Sequence, residues 1–290
     1  MQTGFVLNVA CSVQTFARVA PTTFQLVEAC ILTCKHYKWK RISILYSPLN
    51  APLYLEFEQK LMAYNSGITI AVGTVVLPSS FDDGSYMPLL QPIKDKLLRI
   101  ICLILEDARQ LRRMALTMYD MQMYGKSWVV FVPASFLAEV FNPWTKAGNY
   151  EERDGDVAAA MDGWMLVNPA EPLTPNFDLF MKELQDQPWP PPQLAGPIDG
   201  IQPPVWDQLG ANRLYLAYFH DSLVALAMAI GAVEDVYGDV RNGTAVMSNI
   251  YKRLSFEGLS GVVAFDDRGN NRLDWGVYNM YGKEMRPVAR

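Results

Sequence analysis

Ile100-Ile-Cys-Leu-Ile-Leu105 is an apolar run without a polar break, and helical patterns stand on both sides of it. A strand with one wet face alternates apolar and polar residues, whereas an unbroken run belongs to a strand covered on both faces, as in a parallel sheet between helices. Upstream, Leu89 to Leu98 reads as a helix, Ile68 to Val76 as a strand, and Leu53, Phe57 and Leu61 as a helix that stops before Asn65-Ser-Gly67. Before these, Ile42-Ser-Ile-Leu-Tyr46 is a short strand bounded by Ser47-Pro48, and Phe24, Val27, Ile31 and Cys34 mark a helix ending near Tyr37. Downstream, Leu111, Met114, Ala115 and Met118 share a helical face, Gly125 fits its C-terminal cap, and Trp128 to Val132 is the next strand. Strands alternating with helices of this length predict an α/β fold with a parallel sheet, because parallel neighbours need a crossover.

The later part is less regular. Gly163 to Val167 predicts a strand, and Thr174-Pro175 opens a helix that carries Phe177, Phe180, Met181 and Leu184. Residues 185–204 contain seven prolines, including Pro190-Pro-Pro192, which predicts an extended surface loop. Leu214 to Ile230 is apolar nearly all round, as in a helix packed on several sides, and Thr244 to Leu254 is a shorter helix with Thr244 as N-cap. Gly261-Val-Val-Ala-Phe265 and Leu273-Asp-Trp-Gly-Val-Tyr278 read as closing strands, joined as a hairpin through Asp266 to Asn270. At the other end, Gly4 to Ala10 reads as a strand.

Composition excludes several functions. A chain that is 50% hydrophobic and 19% charged folds, and 25 basic against 30 acidic residues leave a net charge of -5, which offers no overall basic field for nucleic acid. The apolar stretches Ile100 to Leu105 and Leu223 to Ile230 fall short of the roughly 20 residues that cross a bilayer, and no export signal leads the chain. Cys11, Cys30, Cys34 and Cys102 lack metal spacing and number too few for a disulfide scaffold, so they read as buried thiols. No metal or cofactor is expected. The phosphate-cradling patterns G-x-G-x-x-G and G-x-x-x-x-G-K-[ST] and the G-x-S-x-G elbow do not occur, so this chain is not expected to be an enzyme. His220-Asp221 could be half of a catalytic dyad, but an Asp near the start of an apolar helix is explained by the helix dipole. Glu151, Glu152, Asp154 and Asp156 lack the register of a calcium loop and read as a solvated loop. Asn242-Gly-Thr244 is an N-glycan acceptor if the chain is secreted, and an ordinary turn before a helix if it is not.

Three stretches together resemble the ligand-binding region shared by receptor guanylyl cyclases and natriuretic peptide receptors. Ser255-Phe-Glu-Gly-Leu-Ser-Gly261, Val262-Val-Ala-Phe-Asp266 and Arg268-Gly-Asn-Asn-Arg272 with Asp274 are similar to that family's F-x-G-x-x-G, strand, D-x-x-G-x-R, x-D signature. The family usually reads Gly-Asp-Arg where this chain reads Gly269-Asn-Asn-Arg272, one residue longer, a change expected of a surface turn. Thr15-Phe-Ala-Arg-Val-Ala-Pro21, a helix and Trp39-Lys-Arg-Ile-Ser-Ile-Leu-Tyr46 resemble its F-x-R-x-x-P, helix, W-x-x-v-x-x-l-Y passage. Tyr218-Phe-His-Asp-Ser-Leu resembles the Y/F-x-D helix that follows a variable loop.

This resemblance implies a two-lobed clamshell like the type I periplasmic binding proteins, with parallel sheets and chain crossings near Thr15 to Pro21, near Asn212 and near Ser255 to Gly261. Residues 1–21 and 212–254 would form part of the first lobe, and 22–211 with 255–290 the second. Family members begin with further strands and helices, so the first lobe would be incomplete and the chain a fragment or truncated gene product. The implied function is sensing. An extracellular peptide or small molecule acts on a homodimer at the outer face of the plasma membrane, and a membrane helix and intracellular cyclase outside this chain carry the signal to cGMP. The rival is a clamshell that binds a small amino-acid-type molecule, either a binding protein or a class C receptor ectodomain. Arg18, Asp162, His220 and Asp221 are the ligand-cleft candidates, because they adjoin crossings or strand ends where open α/β sheets bind ligands; for Asp162 a plain turn before Gly163 serves equally well. The family joins distant parts of these lobes by disulfides; no partner in this chain fits Cys11, and the pairing stays open.

Overall fold

The structure is a computed structural model that describes all residues except 1–16, 65, 77–85, 106–107, 134–152, 170–174, 187–211, 238–239, 267–268, 272, 282–283 and 290. The strand at Gly4 to Ala10 and the proline-rich loop beyond Asp186 therefore lie outside the described residues. Contacts divide the chain into two compact units, Met1–Pro21 with Glu171–Leu273 and Thr22–Ala170 with Asp274–Arg290.

The second unit holds the regular alternation. Its elements are α1 (Thr23–His36), β1 (Arg41–Tyr46), α2 (Ala51–Ala63), β2 (Thr69–Val76), α3 (Met87–Asp95), β3 (Ile100–Ile104), α4 (Ala108–Asp120), β4 (Val129–Pro133), α5 (Asp154–Met161) and β5 (Met165–Pro169), then β8 (Trp275–Tyr281) and β9 (Glu284–Ala289). They form a seven-stranded sheet in the order β2-β1-β3-β4-β5-β8-β9. The pairs from β2 to β5 are parallel, and β8 and β9 are added antiparallel. Side chains on successive residues of β3 divide between two cores. Ile101 and Leu103 pack with Leu111, Met114 and Met118 of α4, while Cys102 and Ile104 pack with Leu26, Cys30 and Cys34 of α1 and Phe57 of α2. Burial on both faces is what the unbroken apolar run required. Thr22 caps α1 in a capping box with Gln25, which fixes where this helix begins.

Ser43 of β1 is fully buried, and among the described residues its hydroxyl has no hydrogen-bond partner. An unsatisfied buried hydroxyl costs about 1 kcal/mol or more. Ser43→Ala is therefore expected to leave stability unchanged or to raise it by about 1 kcal/mol in urea unfolding; a loss above about 1 kcal/mol would mean that the hydroxyl is bonded.

Cys30, Cys34 and Cys102 are free, buried and part of one core. Burial pushes all three thiols up, Cys34 to about 12 from an ordinary 9.0. They should resist a thiol reagent in the native protein and react once denatured. Because an unfolded thiol ionises first, these groups contribute stability in full below pH 9.0 that is lost as pH rises towards about 12. A pH series of melting curves reads that decline.

The first unit contains α6 (Pro175–Asp186), α7 (Asn212–Tyr237), α8 (Gly243–Arg253), β6 (Ser255–Gly258) and β7 (Gly261–Ala264). Here the structure corrects several expectations. β7 pairs antiparallel with β6, and β8 pairs with β5 and β9, so the expected hairpin of the closing strands does not form. The reason is packing: Val263 and Phe265 bury against Tyr218, Ala225, Ala229 and Val233 of α7 and Val246 and Ile250 of α8. Phe177 and Met181 of α6 likewise pack with Ala217 and Leu259. The boundaries between the two units fall at Pro21/Thr22, Ala170/Glu171 and Leu273/Asp274.

Asn242, not Thr244, caps α8, accepting a hydrogen bond from Ala245 N. Asp154 and Asp156 do not stand in a loop but in the first turn of α5, where Asp154 pairs with Arg112 at 2.6 Å and Asp156 with Arg153 at 2.8 Å. Residues Leu216–Val236 of α7 are also long and apolar enough to cross a membrane, a longer stretch than the sequence runs suggested. Its Ala225, Ala229 and Val233 face the core just described, as in the core helix of a folded domain, and Phe219, Leu223 and Leu226 are exposed along another side.

Candidate functional site

Two of the sequence candidates meet in the first unit. Asp221 lies well inside α7, not near its first turn, so the helix dipole does not account for it. It is fully buried. Its carboxylate accepts from the backbone N–H of Leu259 at 2.8 Å, from the N–H of Ser260 at 2.7 Å and from the Ser260 hydroxyl at 2.6 Å. His220 places Nδ1 2.9 Å from the same carboxylate. Leu259 and Ser260 form the turn between β6 and β7, so one buried anion satisfies the turn's two inward N–H groups. A side chain at Gly258 would collide with that carboxylate, which explains the glycine. Asp221 is thus a positioning residue whose acceptor sites serve the turn.

His220 is partly exposed, and its ring stands 5.3 Å from that of Phe180 on α6. It is the more accessible member of the pair.

Arg18 belongs to a separate arrangement. Its N–H donates to Gly269 O at 2.8 Å, and its carbonyl accepts from Asn271 N at 2.8 Å, a parallel bridge between the entering chain and the loop after β7. Partial burial lowers the guanidinium from its ordinary value, through lost hydration. Asn271, the residue beside the family's expected acid, is buried, with its side chain bonded to Ala264 N at 2.9 Å and Val19 O at 3.4 Å. Asn271 is therefore part of the core and not of an exposed turn.

Asp162 lies in the other unit. It follows α5 and precedes β5, at the amino end of a parallel strand, whereas open α/β sheets bind ligands beyond the carboxyl ends. At those carboxyl ends the described residues include buried Ser47 and, bonded to it, Asn50, whose Nδ2 donates to Ser47 Oγ at 3.0 Å. The segments after β3, β4 and β5 lie outside the described residues. Among the described residues no group of three metal-ligating side chains converges.

The receptor family ligand binding region, known as the ANF receptor family, matches residues 7–283. The chain belongs to that family. It is accordingly an α/β, type I periplasmic-binding-protein-like domain that binds ligands and does not catalyse, of a type found outside the cytoplasm. No curated protein matches it. Among solved structures it is similar to an ABC transporter substrate-binding protein from Desulfitobacterium hafniense in complex with Leu, at 16% identity and a TM-score of 0.59, over 96% of this chain and 69% of that one. At that identity the likeness shows the fold alone.

Sequence reasoning named Asp221 without the turn it holds. Gly258, Leu259 and Ser260 were legible as a glycine-spaced motif, but nothing in their spacing points to a helix some forty residues earlier.

Proposed function

We propose that this ANF receptor domain is the extracellular sensor region of a membrane receptor of the guanylyl cyclase class. The observation that carries this reading is the joining of two stretches that resemble that class, Tyr218 to Leu223 and Phe256 to Gly261, through the Asp221 carboxylate. A ligand would act on a homodimer, and a membrane helix and cyclase outside residues 1–290 would carry the signal. Arg18 and His220 are the proposed ligand contacts, and Asp162 is a weaker one from its place at a strand's amino end. Asn242 is the proposed glycan acceptor. Its Oδ1 carries the helix cap, so a sugar on Nδ2 and the cap are compatible.

The second reading is an amino-acid-binding domain, favoured by the likeness to the Leu-bound protein. Thermal unfolding against a panel of free amino acids separates the two. A ligand at a hundred times its Kd stabilises by about 2.7 kcal/mol, enough to raise the melting temperature by several degrees. The sensor reading expects no free amino acid to do so, and a saturable shift with one of them would favour the second reading.

A further inference from the structure

β1, β3 and β4 are adjacent and parallel, so their amino ends meet at one end of the second unit's sheet. Ser43 stands opposite Ile101, which makes Arg41 level with Arg99 on the neighbouring strand about 5 Å away. Ile100 stands opposite Val129, and Lys126 lies three residues before Val129 in the turn Gly125–Ser127. Lys38 and Lys40 enter β1, and Lys96 follows α3 just before β3. These six side chains are exposed, in a chain whose net charge is -5. Among the described residues no carboxylate pairs with any of them. Asp95 accepts from Gln91 at 2.7 Å, and Asp120 is paired with Arg153 at 2.6 Å.

A cation near a helix C-terminus complements the dipole, which accounts for Lys96 but not for Lys40, Arg41, Arg99 or Lys126. Beneath the charges lie aromatic rings. Tyr37 stacks on Trp39 at 5.1 Å, Trp39 packs on Phe131 at 5.7 Å, and the Arg99 guanidinium stands 5.7 Å from the Trp128 ring. Their faces are engaged within the protein, so they stiffen the base of the array and leave little ring surface for bilayer insertion or base stacking. Arg41 and Arg99 are level on adjacent strands and Lys126 belongs to the turn that leads into the third, an arrangement that suits an extended chain of anions.

We propose that this rim, Lys38, Lys40, Arg41, Lys96, Arg99 and Lys126 at the amino ends of β1, β3 and β4, binds a linear sulfated polysaccharide. Its repeating sulfates match a set of exposed cations, and on the proposed sensor reading both lie outside cells. The inference rests on the extracellular location in the sensor reading, but not on a guanylyl cyclase or on any particular sensed ligand.

The test is calorimetric titration of the full chain with a heparin-derived oligosaccharide of defined length at low and high salt. The expected result is saturable binding that weakens steeply with salt. Arg41→Ser with Arg99→Ser should reduce affinity on the order of tenfold, since each exposed ion pair contributes a modest amount. Arg99 also donates to Ser127 O at 3.1 Å, so its loss can loosen the fold. Lys38→Ser with Lys40→Ser, side chains that make no such contact among the described residues, should give a similar loss with an unchanged melting temperature, and Lys182→Ser on α6 should change nothing. No binding of the native chain at low salt, or an equal loss from Lys182→Ser, overturns the proposal. Tighter binding to phosphatidylserine vesicles or to single-stranded DNA than to the oligosaccharide overturns it as well.

Discussion

Asp221→Ala is expected to lower stability by about 3 kcal/mol, the cost of leaving buried donors without their anion. The carboxylate is at 0% exposure and takes three hydrogen bonds of 2.6 to 2.8 Å from Leu259 and Ser260. Alanine supplies no acceptor for the two N–H groups. Asn should be intermediate, since its amide keeps one oxygen but turns an NH2 towards a donor. Ser260→Ala removes only the hydroxyl bond and should cost about 1 kcal/mol. Urea unfolding followed by circular dichroism measures all three; a loss below about 1 kcal/mol for Asp221→Ala would mean that the turn finds other acceptors.

Gly258→Ala should cost about 3 kcal/mol for a different reason, because the added Cβ would stand inside contact distance of the Asp221 carboxylate. Backbone there cannot yield freely, since Gly258 is paired with Gly261 across β6 and β7. If the collision is the cause, the two changes cannot be additive. Removing the carboxylate makes room for the methyl group, so the double variant Asp221→Ala, Gly258→Ala should lose at least about 1 kcal/mol less than the two single losses together. Additive losses would place the damage elsewhere, in the conformation of residue 258 itself.

The parts of this domain legible in its sequence were those fixed by local pattern. The run Ile100 to Leu105 became a strand buried on both faces because its side chains had to be divided between two cores, and the helix at Thr23 began where Thr22 and Gln25 could cap it. Pairing partners were not legible in the same way. Gly261 to Phe265 and Leu273 to Tyr278 are separated by a turn-rich link that suits a hairpin, yet the first packs on α7 and α8 and the second joins β5. Proximity in sequence lost to burial of Val263 and Phe265, a choice that only tertiary packing makes. The same holds for the site. Asp221 stood out as a charged residue on an apolar helix, but a carboxylate's partners are backbone donors, and backbone groups leave no signature in residue type. The acidic residues in the first turn of α5 misled for a related reason, since Asp154 and Asp156 suit a loop by composition and a helix first turn by electrostatics.

On the proposed reading this ANF receptor domain senses ligand for a membrane receptor of the guanylyl cyclase class. Sequencing the full-length transcript on both sides of residues 1–290 tests it most directly. A signal peptide and further first-lobe strands and helices are expected upstream, and a membrane helix with kinase-like and cyclase domains downstream. A transcript that starts at Met1 and stops after Arg290, or one that joins the domain to no membrane helix, would contradict it.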